Sequence, residues 1–146
     1  MKKRTELCIY CIALIVIALC DLGMLVMDVQ SGYFENITSD DAMVEKAVNI
    51  FMKVLFAIAS LSILINVYLA VKGFMTLGGS SDGRFHIVLA SIIGILNLIL
   101  AVFLGLGLLD STDFANDFKT FGLCVVDMIL MFSYAKAAKA VRRGEE

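Results

Sequence analysis

Four apolar segments, each almost free of charged side chains, constrain the fold of this chain more than any other feature. They cover roughly residues 7–27, 48–71, 86–109 and 118–135 of the 146-residue sequence. The length of each segment is close to what an α-helix needs to cross about 30 Å of hydrocarbon, which is about 20 residues. The connections are too short to cover four hydrophobic helices in water. The sequence therefore predicts an all-α integral membrane protein, with four transmembrane helices bundled in a single membrane domain.

The first apolar segment has two interpretations, because basic residues 2–4 precede it as they would precede a secretory signal peptide. The apolar run continues past Asp21 to Met27, however, and Leu19 stands where a processing site needs a small residue. We therefore favour an uncleaved helix.

The basic residues predict the orientation, since lysine and arginine are enriched in short cytoplasmic segments. With both termini on one side, that side carries nine of the twelve basic residues: Lys2, Lys3, Arg4, Lys72, Arg84, Lys136, Lys139, Arg142 and Arg143. The opposite connections, 28–47 and 110–117, are acidic. We therefore expect a multi-pass protein of the cytoplasmic membrane with its N- and C-termini in the cytoplasm.

The connections predict two helical hairpins. Residues 73–85 form the middle connection and contain the glycine- and serine-rich run 78–83, a composition suited to a flexible linker. The connection 110–117 is short enough to make the third and fourth helices antiparallel neighbours. The second helix is expected to begin outside the bilayer, near Ser39.

Ionisable side chains within the apolar segments are the candidate site. At a rise of about 1.5 Å per residue, Asp21 and Lys53 both lie roughly 8 to 9 Å below the outer boundary, so an ion pair between them is favoured. Asp127 lies deeper, roughly 14 Å down on the same rise. It could share Lys53, bond to Asn97 of the third segment, or be protonated in a low dielectric.

Small residues recur along one face of the third segment, at steps of three or four. The spacing of Ala90, Gly94, Ala101 and Gly105 favours close helix packing, although it does not distinguish internal packing from contact between protomers. On the second segment, Ser62, Asn66, Ala70 and Gly73 form another small and polar face.

Two functions fit these polar residues. Asp21, Lys53, Asn97 and Asp127 are either structural, fixing the packing of the helices, or they line a polar path for a proton or cation. The structural interpretation implies a non-enzymatic subunit, regulator or protective partner of another membrane component. The alternative is a small oligomeric transporter or channel that uses its intramembrane carboxylates.

Enzymatic chemistry finds little support in the sequence. Cys8 and Cys11 form a Cys-x-x-Cys, and four-helix membrane thiol oxidoreductases have a similar number of helices and cysteines, but this pair lies at the predicted cytoplasmic, reducing end. His86 stands alone at the inner boundary of the third segment, without a second metal ligand at a suitable spacing. We expect no catalytic residue, cofactor, metal or nucleic-acid partner; the expected partners are the lipid bilayer and a second membrane protein or a homo-oligomer.

Overall fold

The computed structural model describes residues 2–32, 42–79, 83–108 and 114–144. These residues form four helices and no strand: α1 (Lys2–Gln30), α2 (Ala42–Leu77), α3 (Phe85–Gly107) and α4 (Phe114–Arg142). All four are long and apolar enough to cross a membrane. The prediction of an all-helical, multi-pass membrane protein is confirmed.

The helices are longer than the apolar segments that predicted them, except α3. α2 continues to Leu77, so the prediction that Gly73 begins the middle connection was wrong. The apolar run shows where hydrocarbon can surround a helix, whereas backbone hydrogen bonding continues beyond that depth. Ser39, the predicted start of the second helix, lies outside the described residues.

Glycines end three of the helices. Gly32, Gly79 and Gly144 each follow the last helical residue by two positions and have φ of 75°, 74° and 72°. The Gly79 N–H donates to the Thr76 carbonyl at 3.1 Å, and the Gly144 N–H donates to the Val141 carbonyl at the same distance. A left-handed residue just past a helix turns the chain and satisfies a terminal carbonyl, and glycine adopts that conformation without steric cost.

The chain divides into two compact units, residues 1–11 with 71–146 and residues 12–70. In the first unit α3 packs against α4. Among the described residues, Tyr134 of α4 is the largest fully buried side chain, and Ala137 and Ala138 are also buried. One face of the alanine-rich end of α4 is therefore covered by protein.

The second unit contains most of α1 and α2. Its buried positions include Leu14, Leu69 and Ala70, together with the polar Asn66. Most of its other large apolar side chains are exposed, among them Leu19 and Leu64. Such a surface suits a bilayer, because apolar side chains are favourable next to acyl chains and unfavourable in water.

Candidate functional site

The first unit contains a buried cluster that we call the His86 cluster: Cys11, Gly73, Thr76, His86 and Tyr134. Cys11 comes from the N-terminal part of α1, Gly73 and Thr76 from the last turns of α2, His86 from the first turn of α3 and Tyr134 from α4. The cluster therefore joins parts of all four helices. All five residues of the cluster are buried, and only 1% of the His86 surface is accessible.

His86 is satisfied within this cluster. Its Nε2 lies 3.3 Å from Thr76 Oγ1, and the Thr76 hydroxyl donates to the Lys72 carbonyl at 2.9 Å. With the hydroxyl proton used in that bond, Thr76 Oγ1 can accept from a protonated Nε2, and the ring also hydrogen-bonds to the backbone of Gly83. Tyr134 packs against the His86 ring edge to face, with centroids 6.3 Å apart and an interplanar angle of 74°. The histidine thus links α2, α3 and α4.

Gly73 is the point of closest approach in the cluster. A Cβ atom there would overlap Cys11 Sγ and would lie 3.0 Å from Tyr134 Cε2 and 3.2 Å from the Tyr134 hydroxyl oxygen. Only a residue without a side chain allows the thiol and the phenol to approach the α2 backbone together. The small face that the sequence indicated on the second segment therefore includes one position at which space is limiting.

The Cys11 side chain and the helix ends around the cluster are held by close packing and by backbone contacts. Cys11 is fully buried against Gly73, and a buried thiol in apolar surroundings is unreactive. In the part of the chain that the structure describes, no three His, Cys, Asp or Glu side chains gather as metal ligands would. Arg4 supports the same end of α2, because its guanidinium donates to the Leu77 carbonyl at 2.6 Å.

The small residues of the third segment lie at the contact between α3 and α4. Ala90, Gly94 and Ala101 are buried, and Gly105 is half-buried. A Cβ at Gly94 would lie 3.0 Å from the Phe132 ring, so this ring of α4 lies against a glycine of α3. At Gly105 the corresponding approach is 3.3 Å, to the Phe121 ring. Within this chain, therefore, Gly94 and Gly105 of α3 accommodate aromatic rings of α4.

Asn97 and Asp127 belong to this contact region. The Cys124 thiol donates to the Asn97 backbone carbonyl at 3.2 Å, and Asp127 follows Cys124 by one helical turn. Both Asn97 and Asp127 are half-buried. The bond between Cys124 and Asn97 therefore belongs to the contact between α3 and α4, one helical turn from Asp127.

Asp21 and Lys53 both lie in the second unit, where Asp21 is half-buried and Lys53 is exposed. No ion pair joins these two described residues. The long stem of an exposed lysine can carry its ammonium group toward the interface, whereas enclosing both charges would require desolvating them. Energetic coupling between Asp21 and Lys53 can be measured by combining Lys53→Met with Asp21→Leu.

Comparisons with known protein families, curated proteins and solved structures find no match for this chain.

The sequence interpretation missed the His86 cluster, although weak signals were present. A histidine within an apolar segment must find a polar partner, and Thr76 is a hydroxyl residue within ten positions of it. Tyr134 lies near the end of the fourth apolar segment, where a tyrosine at the membrane interface needs no partner ring. Nothing local to either residue indicates that their rings meet, because that contact depends on how α3 and α4 pack.

Proposed function

We propose that this chain is a non-enzymatic subunit, regulator or protective partner of another membrane component. The observation that carries the proposal is the exposed position of Lys53 within the apolar part of α2. Its neighbours Phe51 and Val54 are also exposed, so the lysine belongs to a surface that is otherwise apolar. A lysine costs about 2.5 to 3.5 kcal/mol at the centre of a membrane span by insertion scales, and less at the shallower depth of Lys53. A carboxylate on a second protein would offset that cost and fix the partner's position.

The hydroxyl side chains of the spans support a packing role over a conducting one. Ser60 donates to the Phe56 carbonyl at 2.9 Å, and Ser91 donates to the Ile87 carbonyl at 2.8 Å. Such bonds to the preceding turn satisfy a hydroxyl within its own helix. These two hydroxyls therefore have a structural partner within the helix and need none across a conducting path.

The test compares Lys53→Met with Lys46→Met after purification in a mild detergent. Lys46 is also exposed and lies seven residues earlier in α2, on nearly the same helix face but before the apolar segment. The parent chain and Lys46→Met should retain a second membrane protein in fixed stoichiometry. Lys53→Met should reduce its recovery at least fivefold. Recovery of the parent chain alone in every detergent, or equal recovery with both variants, would contradict the proposal.

We further propose that both termini are cytoplasmic, that the helices form two hairpins and that the membrane is the cytoplasmic one. Support comes from the excess of basic residues in the segments assigned to one side. Single cysteines placed at Glu45 and at Lys139 test the orientation with an impermeant maleimide on intact cells, with the parent chain as the blank. Labelling above the blank is expected at position 45 and not at position 139, and the reverse pattern would refute this orientation.

The alternative is a small oligomeric proton or cation transporter, and the half-buried Asp127 in an apolar helix favours it. Reconstituted protein would then carry a flux that Asp127→Asn abolishes and Lys46→Met does not. Flux no greater than that of empty liposomes, in proton and alkali-cation gradients alike, would reject the alternative.

A further inference from the structure

A groove opens between α3 and α4 at the end of the first unit where basic residues collect. Its volume is about 760 Å³, within the range of about 300 to 1,000 Å³ that is usual for ligand pockets. Its basic lining comes from Arg84, Lys136, Lys139, Arg142 and Arg143. None of the described residues that line it is acidic, although the whole chain has a net charge of −2. The groove is therefore a local concentration of positive charge on a mildly acidic protein.

The lining changes from charged to apolar along the groove. Arg84 precedes the first turn of α3, whereas Ile92 lies eight residues further along, about 12 Å away at the usual helical rise. On α4, Phe132 precedes Lys136 by about one turn. Val88 and Ile92 of the apolar part are 51% and 49% exposed, so the groove is open sideways as well as at its basic end.

We propose that this groove binds one anionic phospholipid, with its phosphate at the basic end and an acyl chain along Val88, Ile92 and Phe132. Basic pockets between transmembrane helices bind anionic lipid headgroups through this arrangement of charge. Such a lipid site requires that α3 and α4 span a membrane, and it does not depend on the proposed partner role.

A lipid fits the groove better than an acidic segment of a partner protein. The apolar part belongs to a span, so in a membrane it faces acyl chains, and a soluble peptide could engage only the basic end. A phospholipid matches both parts, since its charge and its hydrocarbon are separated along its length as they are in the groove. The side opening also lets a lipid enter from the bilayer without crossing the headgroup region.

The experiment uses the absence of tryptophan from the chain. Ile92→Trp places a single fluorophore in the lining, and brominated acyl chains quench it on contact. The protein is reconstituted in phosphatidylcholine vesicles with increasing fractions of brominated phosphatidylglycerol, or of brominated phosphatidylcholine as the reference. We expect the anionic lipid to associate about tenfold more strongly, because each basic side chain near an anionic headgroup contributes up to about fivefold.

Two double variants in the Ile92→Trp background separate a site from diffuse attraction. Lys136→Gln with Lys139→Gln removes two charges from the groove, and the preference should fall to within twofold of unity. Lys2→Gln with Lys72→Gln removes the same charge outside the groove lining, and the preference should stay within twofold of the starting value. Equal losses in the two double variants would overturn the proposal.

Native mass spectrometry of the unsubstituted chain gives a second measurement that does not depend on the reporter. From micelles with equal amounts of the two lipids, one phosphatidylglycerol should remain bound, and Lys136→Gln with Lys139→Gln should lose it. Equal retention of the two lipids, or a groove occupied by a protein segment, would reject the proposal. Reversal of the quenching by millimolar inorganic phosphate would also reject it, because the ligand would then be a soluble anion.

Discussion

Gly73 offers the sharpest test of how the first unit is packed. Gly73→Ala would place a methyl group where Cys11 Sγ lies, and within 3.2 Å of two Tyr134 atoms. Overpacking of this kind costs about 1 to 3 kcal/mol, while alanine gains about 1 kcal/mol over glycine as a helix former. Because the overlap with Cys11 Sγ is severe, the overpacking cost falls in the upper part of this range, and we expect a net loss of about 1 to 2 kcal/mol in the free energy of unfolding.

The structure also predicts how to reverse this loss. Cys11→Ala removes the sulfur that the new methyl group meets, at a cost of about 1 kcal/mol for the lost buried atom. In that background Gly73→Ala should be nearly neutral, because the helix-propensity gain offsets the remaining close contact with Tyr134. The coupling energy between the two substitutions should therefore be about 1 to 2 kcal/mol in magnitude, within the usual range for residues in contact.

The measurement is reversible unfolding in mixed micelles with an increasing fraction of denaturing detergent, followed by far-ultraviolet circular dichroism. Gly122→Ala is the control, because it lies in the helix of Tyr134 and a Cβ there would meet nothing within 4 Å. It should be neutral or stabilising by up to about 1 kcal/mol. Additivity of Gly73→Ala and Cys11→Ala to within about 0.5 kcal/mol would refute the close approach.

Two further predictions use the same unfolding assay. Lys53→Met should change the free energy of unfolding by less than about 1 kcal/mol, and its effect should add to that of Asp21→Leu; a loss of about 3 to 5 kcal/mol would instead indicate a buried ion pair between them. His86→Ala should cost about 2 to 4 kcal/mol because it empties a buried, hydrogen-bonded position, whereas Phe85→Ala, at the neighbouring exposed residue, should cost less than about 0.5 kcal/mol.

The number and type of helices could be predicted from the sequence because they follow from a one-dimensional property. A stretch of about 20 apolar residues must satisfy its backbone internally in lipid, and a helix does so without any tertiary contact. The helix ends could be predicted less well. α2 continues through Gly73 to Leu77. The end was mispredicted because a glycine needed for a close approach and a glycine that ends a helix look alike in a sequence.

The candidate site was less predictable because it depends on which helix faces meet. The spacing of Gly94 and Ala101 indicated a packing face, since a helix repeats locally, but it did not indicate that Phe132 lies against that face. Matching the depth of Asp21 with that of Lys53 gave their levels and left their directions open. Depth follows from counting residues along one helix, whereas direction depends on the rotation of two helices about their axes.

Lys53 shows how that distinction changes a functional argument. An unpaired lysine turned inward would lose its hydration without compensation, and an inward ion pair would gain little over two apolar side chains. A lysine turned outward keeps two further possibilities, since its long stem can bring the ammonium group to the interface or to a carboxylate of another chain. The first possibility makes Lys53→Met silent in every assay, while the second makes it silent in unfolding and disruptive in partner recovery. The combination of the two measurements therefore distinguishes anchoring from association, which neither measurement does alone.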